Sequence, residues 1–184
     1  MIFTETGLPG ACVVEMERHE DERGFFARSW CRREFEAHGL KTDLVQCNVS
    51  RNRVRGTLRG LHYQIAPHEE AKLVRCTRGA IYDVVVDLRP GSSSFLQHFG
   101  TVLSADNLRG LYVPDGCAHG FVTLADDAEV FYQMSAFYVA EASRGVRWND
   151  PAFGIVWPEP VVVMSDRDRG YPDFRRDQLE EALA

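Results

Sequence analysis

From residue 44 onward the chain is a succession of short apolar or alternating segments, each closed by a turn signal within a few residues. Val45-Gln-Cys-Asn-Val49 alternates cleanly, and segments 55–64 and 71–77 follow with a polar loop around Pro67 between them. Ala80-Ile-Tyr-Asp-Val-Val-Val-Asp-Leu88 is longer and stops at Arg89-Pro-Gly-Ser-Ser-Ser94. Segments 95–103, 109–113, 117–124 and 128–135 complete the series, with Pro114-Asp-Gly116 and Asp126-Asp127 as turns. A period of two puts successive side chains on opposite faces, and runs this short between Gly, Pro and Asp read as strands rather than helices. Eight or nine such strands with one helix confine the chain to an all-β barrel or a double-sheet jelly roll.

The first forty residues fit that frame. Residues 11–16 read as a first strand, His19-Glu-Asp-Glu-Arg-Gly24 as a polar turn, and Phe25-Phe-Ala-Arg-Ser-Trp30 as a return to extended chain. Between Cys31 and Leu40, Phe35 and Ala37 stand among charges and Gly39 supplies a stop, which predicts a short helix. After Tyr138 the strand pattern fades. Trp148-Asn-Asp-Pro151 and Trp157-Pro-Glu-Pro160 predict a loop-rich tail packed on the barrel by aromatics, and 175–184 predict a short amphipathic helix. No repeat, low-complexity run or linker divides the 184 residues, so 1–184 is expected to be a single domain.

Several function classes fall away on composition. A net charge of −6 opposes non-specific nucleic-acid binding. No run of 18 apolar residues predicts a membrane span, and Met1-Ile-Phe-Thr-Glu-Thr6 has neither the basic nor the apolar region of a signal peptide. Cys12, Cys31, Cys47, Cys76 and Cys117 are odd in number, scattered and without a CxxC pair. That favours reduced thiols in a cytoplasmic protein over a zinc site or a disulfide framework. A metal-binding β-barrel would want two His two apart on one strand, and no HxH occurs. GxGxxG and GxxxxGK[ST] are absent as well.

Chemistry concentrates in Arg55-Gly-Thr-Leu-Arg-Gly-Leu-His-Tyr-Gln64. Arg59 and His62 are three apart, which puts them on opposite faces of a regular strand unless a bulge at Gly60 re-aims one. In Ala71-Lys-Leu-Val-Arg75, Lys72 alternates with apolar residues and so is expected to point inward. A base and a cation aimed into a barrel call for an anionic or carbonyl-bearing ligand. His119 sits between small residues in Pro114-Asp-Gly-Cys-Ala-His-Gly-Phe121, and Tyr132 and Asp168 complete the candidates. Each also has an ordinary reading: a strand His or Lys facing water, Tyr132 as a core aromatic, Asp168 as part of the surface cluster Asp166-Arg-Asp-Arg169.

Taken in order, six motifs form a specific set: Asp21-Glu-Arg-Gly-Phe-Phe26, the 55–64 stretch, Lys72-Leu-Val-Arg75, Tyr82-Asp-Val-Val-Val-Asp-Leu-Arg89, Pro114-Asp-Gly-Cys-Ala-His-Gly-Phe121 and Arg144-Gly-Val-Arg-Trp-Asn-Asp-Pro151. The chain resembles the dTDP-4-dehydrorhamnose 3,5-epimerase family from about residue 10 to about 170. The resemblance implies a cupin-type jelly-roll barrel with short peripheral helices, forming a homodimer. It implies action on a nucleotide-diphosphate sugar, a 4-keto-6-deoxy sugar, without metal or organic cofactor. It makes His62 the general base with Asp168 as its carboxylate partner, Lys72 the cation beside the ketone oxygen and Tyr132 the proton donor. Arg23, Arg28, Gln46, Asn48, Arg59, His119, Ser143 and Arg167 fall on substrate-binding positions. Arg28 and Ser143 stand where the family usually has Glu, Gln133 where Lys is common, and Arg167 where Lys is commoner. These departures bear on the nucleotide, which stays open among dTDP, CDP and GDP. One or two inverted centres, a ketoisomerase, or a non-catalytic sugar-nucleotide-binding cupin remain the alternatives.

Overall fold

The computed structural model describes residues 1–175. Thirteen strands and two short helices follow one another along these residues. They are β1 (Ile2–Glu5), β2 (Cys12–Glu15), β3 (Arg18–Asp21), β4 (Gly24–Ala27), α1 (Arg32–Ala37), β5 (Gln46–Asn52), β6 (Leu58–Gln64) and β7 (Lys72–Arg78). Then come β8 (Ala80–Asp87), β9 (His98–Ser104), β10 (Gly110–Val113), β11 (Cys117–Thr123), β12 (Ala128–Met134), β13 (Ser143–Gly145) and α2 (Asp166–Arg169).

Two antiparallel sheets make the jelly roll: six strands in the order β1-β2-β10-β7-β12-β5, and five in the order β13-β6-β11-β8-β9. Their facing sides bury Val13, Val74, Val85, Leu103, Leu111, Phe121 and Val130 in one cluster, drawn from both sheets as a sandwich core requires. The outer face of the six-stranded sheet is covered by α1, which sets Phe35 against Val14, Leu73 and Tyr112. The outer face of the five-stranded sheet buries Leu61, Val84, Val86 and Ala118 under the tail residues Val146, Phe153 and Trp157. Hence Val84-Val85-Val86 is apolar on both faces: β8 is covered from both sides.

The expected all-β jelly roll with short peripheral helices is the observed architecture. The tail is held by aromatics as predicted, Trp157 packing edge-on against Tyr82 with its Nε1–H donating to Trp148 O at 2.9 Å. Four local expectations are corrected. His19–Gly24 is not all turn, because β3 runs to Asp21 and pairs with β4. All four β3 side chains face solvent, so no apolar alternation marks it. The strand expected from residue 95 starts at His98, since Asp87 draws Ser92 and Ser94 into a hydrogen-bonded turn first. The short strands β1 and β13 stand where no strand is predicted. The helix predicted over 175–184 lies, apart from Arg175, outside the described residues.

One irregularity shapes the site. His119 pairs with His62 and Phe121 with Arg59, so Gly60 and Leu61 together oppose Gly120 alone. This is the bulge expected at Gly60. Gly60 has φ +119°, and a Cβ there would lie 2.6 Å from Gly120 Cα, so only glycine fits. The extra residue rotates Arg59 and His62 onto the same side of β6.

Candidate active site

Between the sheets, beside the core cluster, lies a cavity of about 920 Å³. Arg59, His62, Lys72, His119, Tyr132, Asp168, Gln46, Asn48, Ser143 and Arg167 all line it. Arg23 and Arg28 do not. Arg23 is 85% exposed and paired with Asp21 on the β3–β4 ribbon, and Arg28 pairs with Glu34 of α1 at 2.8 Å. Within one chain the sequence-predicted set thus divides into ten residues gathered in one cavity and two cations on a projecting ribbon.

His62 Nε2 lies 2.6 Å from Asp168 Oδ1. The carboxylate can only accept, so the ring proton sits on Nε2 and the lone pair is left on Nδ1. Asp168 is presented by the one-turn helix α2, whose Ser165 cap accepts from Asp168 N, while Gly60 N donates to Asp168 Oδ2 at 3.3 Å. Its side chain is only 5% exposed, which replaces the surface-cluster reading. Burial pushes its pKa up, but the His62 hydrogen bond and charge, with the Gly60 and Ser165 contacts, outweigh that and hold it below the usual carboxylate value. The anion is therefore kept beside the imidazole.

A second pair, His119 Nε2 with Asp83 Oδ1 at 2.8 Å, lies deeper, and Asp83 is fully buried. Burial raises the Asp83 pKa despite the opposing His119 and Lys72 charges. Lys72, buried as its alternation predicts, forms an ion pair of 2.6 Å with Glu70. Tyr132 packs against the core cluster and also lines the cavity, so its place beside the core does not remove it from the site. Burial pushes its phenol up, opposed by the Arg59 charge and reinforced by Glu70.

The polar wall is pre-set. Arg59 Nε donates to Asn52 Oδ1 at 2.7 Å, and Asn52 is itself buried. Gln46 Nε2 donates to Asn48 Oδ1 at 3.2 Å, and its Oε1 accepts from Tyr138 N at 3.1 Å. Arg167 donates to Ser143 Oγ at 2.8 Å, so two of the four departures from the family's usual residues meet in one contact. Sequence reasoning missed Asn52, Glu70, Asp83, Ser165 and Tyr171. Tyr171 stands edge-on to the His62 ring, with centroids 6.2 Å apart, in space left by Gly145. Their sequence signal is slight: a polar residue inside an apolar strand, as at Asp83, is the one cue available.

The sheets place these groups on opposing walls. His62 and His119 belong to β6 and β11 of the five-stranded sheet, whereas Lys72 and Tyr132 belong to β7 and β12 of the six-stranded sheet. A closed double sheet around a cavity where a carboxylate-backed imidazole faces an ammonium and a phenol is a cupin-type barrel equipped for acid–base chemistry. The chain belongs to the dTDP-4-dehydrorhamnose 3,5-epimerase family, whose family model matches residues 5–176. It is 45% identical to the dTDP-4-dehydrorhamnose 3,5-epimerase of Pseudomonas aeruginosa over 92% of this chain and 93% of that one. Among solved structures it is similar to the Bacillus anthracis dTDP-4-dehydrorhamnose 3,5-epimerase with TDP and pyrophosphate bound, at TM-score 0.90 and 43% identity over 94% of this chain and 99% of that one. A 3'-monoepimerase from Streptomyces bikiniensis in complex with dTDP-quinovose matches at TM-score 0.87 and 34% identity over 98% of this chain and 91% of that one.

Proposed function

We propose that this protein inverts C3 and C5 of a dTDP-linked 4-keto-6-deoxy sugar by proton transfer. The observation that carries the reading is the His62–Asp168 pair on one wall of the cavity with Lys72 and Tyr132 on the other. A hydrogen next to a ketone is acidic because the carbanion spreads onto oxygen as an enolate. His62 Nδ1 takes that proton, and the Asp168 anion stabilises the imidazolium formed. Lys72 supplies positive charge where the enolate oxygen develops. Tyr132 returns a proton from the opposite wall, which inverts the centre. Proton removal and return balance without a redox step, so the scheme uses no metal or organic cofactor.

The thymidine nucleotide is favoured over CDP or GDP by the relatives, which are named as dTDP-sugar enzymes. Arg59, His119 and Arg167, with Gln46, Asn48 and Ser143, are the groups available to the diphosphate and its sugars. Arginine suits phosphate through paired N–H donors. NMR of dTDP-4-keto-6-deoxyglucose in D₂O tests the reading. Deuterium is expected at both C3 and C5 with both centres inverted. Label at C3 alone is the outcome of a monoepimerase, the activity named for the Streptomyces bikiniensis neighbour. No label at either carbon defeats the epimerase reading and leaves a binding cupin.

Arg23 and Arg28 we assign to the cavity of a second copy. The β3–β4 ribbon pairs with neither large sheet and exposes Phe25 and Phe26, at 51% and 73%. An unpartnered apolar ribbon is what a two-fold interface covers. Light scattering at micromolar concentration is expected to give a dimer mass, and Phe26→Glu to shift it to monomer. A monomer mass for the unaltered chain ends this assignment. The scattered, odd cysteines favour the cytoplasm.

A further inference from the structure

The bond to Asp168 fixes one corner of the His62 ring and leaves its plane loosely set. Nε2 is anchored at 2.6 Å, but the torsion that turns an imidazole is broad and roughly two-fold. On the cavity side the ring is open. In an antiparallel sheet the residue directly opposite would steady it, since the two side chains share a face with Cβ atoms about 5 Å apart. The residue opposite His62 is Gly145, on the edge strand β13, and it has no side chain to offer.

That slot is filled from the tail. A Cβ on Gly145 would lie 2.2 Å from the Tyr171 ring, and its three nearest neighbours all belong to the Tyr171 side chain. Tyr171 therefore stands where the cross-strand neighbour of His62 would be, edge-on to the imidazole. The segment that carries it is pinned at both ends. On one side Asp168 N donates to Ser165 Oγ at 3.1 Å. On the other, Phe174 N donates to Asp150 Oδ2 at 2.5 Å, Arg147 pairs with Asp173 at 2.5 Å, and the Phe174 ring packs on Phe153. Tyr171 is not part of the cavity wall, so it acts on a substrate only through His62.

We infer that Tyr171 is a positioning residue for His62. Its ring replaces the missing side chain at 145 and holds the imidazole plane so that Nδ1 faces the cavity while Nε2 stays on Asp168. Tyr171 itself moves no proton. Its contribution is alignment, and a base misplaced by about 1 Å can cost about 10²-fold in rate. The assignment rests on the epimerase reading and deepens it.

The test follows deuterium entry next to the ketone of dTDP-4-keto-6-deoxyglucose, at low and at saturating substrate, in variants shown to be folded by circular dichroism. In Tyr171→Ala, kcat is expected to fall by about tenfold or more while KM stays within about threefold, because the ring aligns the base and does not touch the sugar. Tyr171→Phe, which keeps the ring, should hold kcat within about threefold of the unaltered chain. Gly145→Ala pushes the ring aside and should lower kcat as Tyr171→Ala does. Placed in Tyr171→Ala, where its Cβ has room, it should add little, so the two effects do not sum. Should Tyr171→Ala not fold, Tyr171→Leu and Gly145→Ala carry the same test. An unchanged kcat in a folded Tyr171→Ala overturns the assignment, even if its melting temperature drops, since the ring then only packs the tail. A rise in KM alone overturns it too, as does an equal loss in Tyr171→Phe or a simple sum of the Gly145 and Tyr171 effects. No exchange by the unaltered protein is a distinct result, and overturns the epimerase reading together with this one.

Discussion

His62→Ala is expected to lose both product formation and deuterium uptake from D₂O at the carbons flanking the ketone, by about 10²–10⁴-fold. No second imidazole on that wall is equally accessible. His119 is bonded to the fully buried Asp83 and lies deeper, with a side chain 10% exposed against 38% for His62. The substitution also removes the main favourable partner of Asp168. That carboxyl has its pKa lowered in the folded protein, so the stability it contributes is present above the unfolded carboxylate value and is lost as pH falls through the folded one. His62→Ala is therefore expected to be less stable than the unaltered chain near neutral pH, with the difference narrowing in acid. Lys72 and Tyr132, on the other sheet, stay in place, so binding of dTDP should survive. Uptake of deuterium at near the unaltered rate would remove His62 from the base role.

The chain's β-architecture is legible because its strands either alternate, as in β5 with one face buried, or run apolar where both faces are covered, as in β8. Alternation at 45–49 and apolar continuity at 80–88 carry that information directly. Strands lacking the contrast are invisible: β3 is exposed on both faces, and β13 has only three residues. The same physics divides the site. Lys72 is legible as inward-facing because it interrupts an apolar strand, and Gly60 marks a bulge because glycine inside a strand signals positive φ or a close backbone approach. Asp168 is not legible from its neighbours. Asp166, Arg167 and Arg169 make it look solvated, and what buries it is a helix cap and a partner 106 residues away in sequence. Glu70 sits in a polar stretch beside Glu69, and only the fold brings it to Lys72. Arg23 and Arg28 are legible through family resemblance alone, since a single chain leaves them on a solvent-facing ribbon.

Tyr132→Phe is expected to separate the two halves of the reaction. His62 still removes the proton and Lys72 still holds the enolate, because neither lies on β12 and the phenol hydroxyl is bonded to neither. With no donor on the opposite wall, the proton returns from the His62 side. Substrate is then recovered with deuterium next to the ketone and its configuration unchanged, while inversion falls by about 10²–10⁴-fold. Lys72→Ala should suppress exchange both in the unaltered chain and in the Tyr132→Phe variant, because the enolate then forms without its cation. The pH dependence follows from burial, which pushes the Tyr132 phenol above its ordinary value of about 10. Since the donor must be protonated, inversion is expected to persist through neutral and mildly alkaline pH and to fail only beyond the ordinary tyrosine range. Label entry and configuration can be read from the same NMR spectrum of recovered sugar. If Tyr132→Phe inverts its substrate at close to the unaltered rate, the ring is there to close the core cluster and the proton comes from another group on that wall.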